Sequence, residues 1–275
     1  SDGGTDSVGA LMIIRHDLKL IFLHVPKCAG TAIRRVFREG SSDPANVQEF
    51  WNYSFNDVLE RYVDRAHLPL SDLRSYPEFD LLDDYTVIAC TRHPQARLRS
   101  AVHEYYRQKS ARHEAKIKKG QLTDAMKRRY YRQLHRRHLE LDPRFIHSLP
   151  MHRFTHYGRQ PKVDHLLRCE SLLSDFEQLA QTLRLPESML HKAATSLHRN
   201  DRDAATCHPD QQEVELSERL YAVDFQTFGY GNATTPTPGP IVDAGQARFI
   251  HASAQIQWHW GPRASRSTTD LAPTR

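Results

Sequence analysis

The segment Leu18 to Val25 constrains the fold more than any other, because it is an almost unbroken run of Leu, Ile, Phe and Val, relieved only by Lys19 and His24 and stopped by Pro26. A strand that apolar has no face to offer to water and needs cover on both sides, the position of an inner strand in a parallel sheet. Pro26 has no N–H to give to a ladder, so the strand ends there. After the loop Lys27 to Gly30, the segment Thr31 to Glu39 sets Ala32, Ile33, Val36 and Phe37 on one helical face and Arg34, Arg35 and Arg38 on another, then meets Gly40. The same order of strand, loop and helix recurs at Tyr85 to Cys90, a second apolar run followed by Arg92-His93-Pro94. Pro94 suits the first turn of a helix reaching about Gln108. The expected class is therefore α/β, three layers with a central parallel sheet flanked by helices.

Around these two units the chain supplies further elements. An apolar run from Ala10 to Ile14 precedes Arg15-His16-Asp17, and the aromatic and polar stretch Asn46 to Tyr76 suggests a helix in part, around Phe55 to Tyr62. A third short strand is expected over Val163 to Cys169. The capping-box spacing Ser174-Asp175-Phe176-Glu177 then opens a helix with Phe176, Leu179, Ala180 and Leu183 as its buried stripe, ended by Pro186. A last amphipathic helix runs from about Asp210 to Asp224, ahead of Phe228-Gly229-Tyr230-Gly231. Residues 1–234 are read as one domain. Residues 235–275, which open on a Thr-Pro-Thr-Pro-Gly-Pro run, are read as linker and irregular tail.

Charge is localised. Between Arg107 and His138 stand twelve lysines and arginines and two acids, so the rest of the chain is slightly acidic. This block has helix-forming composition and few large apolar residues. It is expected to be an exposed helical pair interrupted near Gly120, a basic helical insertion over 107–143. Cys28, Cys90, Cys169 and Cys207 lie far apart with no ligand spacing, which reads as free thiols in a reducing compartment. No apolar run approaches the roughly 20 residues that span a bilayer, and the polar start Ser-Asp-Gly-Gly-Thr-Asp does not resemble a signal peptide. A bacterial-type cytoplasmic location is favoured. Since the chain does not begin with Met, the alternative is the Golgi lumen after removal of an N-terminal anchor.

A loop that leaves a buried strand and enters a helix exposes backbone N–H groups beside the positive end of the helix dipole, which suits a phosphate or a phosphosulfate. In Pro26-Lys27-Cys28-Ala29-Gly30-Thr31, Gly30 allows close backbone approach, Thr31 offers a hydroxyl and Lys27 a point charge. The Walker A order GxxxxGK[ST] places its lysine after the second glycine, whereas Lys27 comes before Gly30, so ATP hydrolysis is disfavoured.

These residues carry a family resemblance. Phe22, His24, Pro26, Lys27, Gly30 and Thr31 match Phe-x-His-x-Pro-Lys-x-x-Gly-Thr, while Arg92, Pro94, Arg97 and Ser100 match Arg-x-Pro-x-x-Arg-x-x-Ser. More loosely, Leu167-Arg168-Cys169-Glu170-Ser171-Leu172 is similar to Leu-Arg-x-Glu-x-Leu, and Tyr221, Asp224 and Phe225 lead into Phe228-Gly229-Tyr230. With these motifs, in register over about residues 10 to 231, the chain resembles the PAPS-dependent sulfotransferases. The likeness is to the carbohydrate branch, family 2, that includes the heparan and chondroitin enzymes. The resemblance implies a P-loop-like fold and PAPS as donor, released as PAP. It implies further that Pro26, Lys27, Cys28, Ala29, Gly30, Thr31 and Ala32 hold the 5′-phosphosulfate and that Arg92 and Ser100 contact the 3′-phosphate. Cys28-Ala29 stands where Thr or Ser and Gly are usual, His93 replaces a common Asp or Asn, and Val102 a frequent Tyr.

Sulfuryl transfer, like phosphoryl transfer, asks for in-line positioning and for stabilisation of charge on the leaving group, the role assigned to Lys27. The acceptor hydroxyl must lose a proton, and a neutral histidine is the natural base near pH 7. His67, in Ala66-His67-Leu68-Pro69 between the two motifs, lies where the family commonly carries its proposed base. His24 is the next choice, though its place on a buried strand favours packing, and Glu60, Asp64 and Glu104 are acidic alternatives. The chemistry needs no metal. The acceptor is read as a glycan or other saccharide hydroxyl. The basic block, with Tyr105, Tyr106, Tyr130 and Tyr131 nearby, is suited to an anionic polymer through charge and ring stacking, or is simply a solvated face. The alternatives are a small-molecule kinase with a related phosphate loop and a basic nucleic-acid- or polyanion-binding protein. The nucleic-acid reading rests on a basic patch interleaved with tyrosines, but no nucleic-acid motif accompanies it, so a nucleic-acid partner is not the expectation.

Overall fold

The structure is a computed structural model that describes residues 12–50, 53–109, 122–134, 143–197 and 211–231. The expected tail at 235–275, the break near Gly120 and Cys207 lie outside the described residues. In chain order the first elements are β1 (Met12–Arg15), β2 (Leu20–Leu23), α1 (Gly30–Phe37), β3 (Val47–Phe50), β4 (Tyr53–Asn56), β5 (Arg61–Asp64) and α2 (Leu70–Leu73). There follow β6 (Thr86–Thr91), α3 (Pro94–Lys109) and α4 (Asp124–Leu134), then α5 (His152–Thr155), β7 (His156–Tyr157), β8 (Gln160–Pro161) and β9 (His165–Arg168). The chain closes on α6 (Leu172–Leu183), α7 (Glu187–Ser196) and α8 (Gln211–Thr227).

The main sheet has five strands in the order β3, β1, β2, β6, β9. Its heart is parallel: β2 pairs with β6, and β6 with β9, with Phe22 opposite Ile88 and Cys90 opposite Leu167. One edge is antiparallel, because residues 16–19 join β1 to β2 by a turn too short for a crossover, so Ile13 faces Phe22 in a hairpin and β3 adds outside it. The fold is α/β as expected, with a mixed sheet whose parallel strands carry the longest apolar runs. All four residues of β2 are buried, and so are five of the six in β6. Helix α1 buries Ile33, Val36 and Phe37 against the sheet. Its last carbonyls are covered by the fully buried Arg15, which donates to Phe37 O and Glu39 O at 2.8 Å while Asp17 balances its charge at 2.7 Å. A buried guanidinium needs such pairing.

Four local expectations change. Phe55 to Tyr62 is a β-hairpin, not a helix: β4 pairs with β5, Phe55 opposite Tyr62, around a turn in which Asn56 Oδ1 accepts from Leu59 N at 2.8 Å. The period is two, with Asn56 and Val63 inward and Tyr53, Phe55 and Tyr62 outward. Helix α6 starts before its capping-box spacing, at Leu172, because Asp175 instead accepts from the backbone N of Arg168 at 2.8 Å and ties α6 to β9. It ends at Arg184 in the left-handed region, and Pro186 caps the unforeseen α7. Finally, α4 is anchored: Tyr130, Tyr131 and Leu134 are buried while Arg128, Arg129 and Arg132 stay exposed.

Candidate active site

The loop after β2 is shaped by two residues without glycine's freedom. Lys27 has φ 66° and Ala29 φ 58°, both in the left-handed region that costs an L-residue about 1–2 kcal/mol. Alternating left-handed residues turn successive N–H groups toward one side, the concavity that receives anions. Ala29 precedes α1 and offers no side-chain cap, so the first turn of the helix keeps its donors free of one, and Thr31 is exposed beside them. Gly30 is required for a different reason. A Cβ there would stand 1.9 Å from Cδ2 and 2.0 Å from Nε2 of His24, whose ring lies against the loop.

Helix α3, entered directly after β6, holds this loop from the side. Arg97, fully buried, donates from Nε to Pro26 O at 2.9 Å, and Arg92 Nη1 donates to Lys27 O at 3.4 Å. Seven residues after Arg97, hence on the same side of the helix, Glu104 receives Lys27 Nζ at 3.1 Å and is also bonded to Arg107. Burial would raise the Glu104 carboxyl, but the Arg107 hydrogen bond and the charge of Lys27 outweigh it and hold the group at about 2. Ser100 is half-buried on the same helix. Behind Arg92, Glu170 accepts from His93 N at 2.7 Å and from Tyr230 Oη at 3.2 Å, and Tyr230 also donates to Thr91 Oγ1. All four motif segments thus meet at the C-terminal ends of the parallel strands, where α/β sheets form their ligand crevice.

A histidine cluster adjoins the loop. His24 Nδ1 lies 3.4 Å from Ala66 O, which can only accept, so neutral His24 carries its proton there. The His24 and His67 rings are 4.5 Å apart, and His67 Nε2 meets His147 Nε2 at 3.2 Å. All three are buried. Burial pushes His24 down to about 3. Burial with the neighbouring charge of Lys27 takes His147 to about 4, and burial with His24 and His147 beside it lowers His67 well below its usual value. The cluster is neutral at pH 7, and His67 Nδ1 has no hydrogen-bond partner. Of the acidic alternatives, Glu60 is exposed in the hairpin turn. Asp64 binds Ala66 N at 3.0 Å, 4.0 Å from His67, and its carboxyl is raised by burial. His147 was not singled out from the sequence: it sits in a short turn, 80 residues from its partner, with no motif around it.

The chain matches the model of the sulfotransferase family over residues 11–231, a span that includes both strand–loop–helix units, the histidine cluster and Tyr230. It belongs to sulfotransferase family 2. No curated protein and no solved structure matches it significantly. In the sulfotransferase Arg92 is bonded to the loop that carries Pro26 to Ala32, Ser100 lies on the adjoining helix α3, and the His24 ring stands between the loop and His67. The tyrosines near the basic block are placed otherwise than the sequence suggested. Tyr106, Tyr130 and Tyr131 are core residues, and Tyr105 packs on Phe145 with ring centroids 5.6 Å apart. Helix α4 turns Tyr130 and Tyr131 inward and Arg128, Arg129 and Arg132 outward, so these two rings are not exposed for stacking on sugars. Among the described residues no helix is long and apolar enough to cross a membrane.

Proposed function

We propose that this sulfotransferase moves the sulfuryl group of PAPS to a hydroxyl of a carbohydrate, in line, with His67 accepting the proton. One observation carries the proposal: Arg92 Nη1 meets the Lys27 carbonyl at 3.4 Å, and the His24 ring that lies against the same loop at Gly30 packs on the neutral His67. The donor set fits a doubly anionic nucleotide. The uncapped first turn of α1 with Thr31 would hold the phosphosulfate, and Arg92 with Ser100 the 3′-phosphate. When bound, PAPS supplies an activated sulfuryl group and a good leaving group.

The chain's own residues do the rest. Lys27 is the point charge for the leaving oxygen, and Glu104, ionised and shared with Arg107, holds its ammonium in place. His67 is neutral at pH 7, its Nδ1 without a hydrogen-bond partner and its Nε2 held by His147. Arg97 fixes the Pro26 carbonyl, so the loop keeps its curvature.

The test is donor binding together with labelled transfer. PAP should bind tightly to the wild type and lose most of that affinity in Arg92→Ala. His67→Ala should retain PAP binding while transfer to glycans falls by about 10²–10⁴-fold. Unchanged PAP affinity in Arg92→Ala rejects the donor assignment, and surviving transfer in His67→Ala rejects the base. ATP binding with metal-dependent turnover would indicate a kinase instead.

A further inference from the structure

Among the described residues, the large hydrophobic side chains that stand in solvent all lie on one hairpin: Tyr53 is 55%, Phe55 50%, Val58 75% and Tyr62 56% exposed. The register makes them a surface. Phe55 is directly opposite Tyr62, edge to face at 5.3 Å, and Tyr53 stacks on Tyr62 with centroids 5.4 Å apart and planes 12° apart. The other face of the hairpin, with Asn56 and Val63, is buried, so burying the aromatic face instead would have needed only a one-residue shift of register. Three adjoining rings turned outward on a short sheet mark a binding surface.

We propose that the outward face of β4 and β5, formed by Tyr53, Phe55 and Tyr62, is the acceptor platform, stacking the C–H face of an uncharged saccharide. The proposal rests on the reading above that the acceptor is a carbohydrate, and it adds the place and the charge class. Three features select this occupant. The rings expose about 100 Å² each, about 300 Å² together, far below the ~800 Å² per partner of a stable protein interface but enough for one or two sugar rings. The rim is acidic: Asp57 and Glu60 are exposed, whereas Arg61 is bound to Asp72 at 2.6 Å and Arg65 lies over the Phe50 and Tyr76 rings at 5.0 Å. Such a rim repels a polyanion and accepts hydrogen bonds from hydroxyls. The platform is also continuous with the candidate base. β5 runs into His67, and five residues from Tyr62 to His67 span at most about 18 Å. A saccharide seated on the rings would therefore have to extend beyond them to bring a further hydroxyl toward the site.

The experiment titrates the full chain, with and without PAP, using short cello-, chito- and galacto-oligosaccharides and, separately, heparin, with binding followed by saturation-transfer NMR. At least one uncharged oligosaccharide should bind the wild type. Its affinity should fall about tenfold in Tyr62→Ala and in the Tyr53→Ala/Phe55→Ala double variant, hold in Tyr62→Phe, and leave PAP affinity unchanged throughout. These side chains are exposed, so their removal spares the core. Equal binding by the wild type and the ring-deleted variants overturns the platform, as does binding of heparin alone. A wild-type dimer that dissociates in Tyr62→Ala also overturns it, since a second copy is then the occupant. A wild type that binds no PAP rejects the donor reading instead, and saccharide binding still decides the platform.

Discussion

Two strand–loop–helix units lie side by side in this sulfotransferase, β2 with α1 and β6 with α3, and they are built alike but loaded differently. Each begins with a buried parallel strand, turns at a proline and presents a basic residue, Lys27 in one and Arg92 in the other. The first keeps two non-glycine residues left-handed and leaves its helix without a side-chain cap. The second has no left-handed residue at its turn and sends Arg92, Arg97 and Glu104 across to the first. The strained unit forms the cradle and the relaxed unit braces it. Strain of this kind persists only where surrounding contacts over-determine it.

That division can be broken at its charged residues, with the largest effect. Lys27→Ala should lower kcat by about 10²–10³-fold with little change in PAP affinity, whereas Arg92→Ala should act chiefly on PAP affinity, by about 10- to 100-fold. Steady-state kinetics with PAP titrations separate the two, and the same kcat-to-KM pattern in both variants would erase the distinction.

Acid should separate the units next. His24, His67 and His147 gather around the first loop with pKa values held below 6.5 by burial, so unfolding takes up protons below that pH. Stability is therefore full above pH 6.5 and falls as pH drops toward 4. Glu104 of the bracing helix, held at about 2, adds its own loss only below about pH 4.5, the usual range of a glutamate. Urea unfolding between pH 7 and 4.5 should show His147→Gln with a slope of stability against pH up to about one quarter shallower than wild type, since His93 is also lowered by burial. An unchanged slope would remove His147 as a contributor.

Two substitutions in the loop should sharpen the comparison with smaller, opposite effects. Gly30→Ala drives a methyl into the His24 ring and should destabilise by about 1–3 kcal/mol, read by chemical denaturation. Ala29→Gly relieves a left-handed alanine and should stabilise by up to about 1 kcal/mol, the relief of strain offset by the greater freedom of unfolded glycine. A loss of stability in Ala29→Gly would show that the loop is not strained at this residue.

The two strand–loop–helix units were largely legible. An apolar run, a proline and an amphipathic turn are local signals, and they placed β2, α1, β6 and α3 to within a few residues. The hairpin was not, because Phe55 to Tyr62 puts its aromatics outward and so carries no buried stripe of either period. The tyrosines of α4 were misjudged for the converse reason: a helix so rich in arginine reads as solvated, yet two adjacent rings are enough to anchor it.

By itself the sequence determined that two buried strands would each deliver a basic loop entering a helix, since that follows from residues adjacent in the chain. Only the tertiary structure decided that Arg97 holds the Pro26 carbonyl across 71 residues, that Glu104 aims Lys27 across 77, and that His147 meets His67 across 80. Such contacts depend on how the crossovers pack against the sheet. No local period or propensity encodes which side chains that packing brings together.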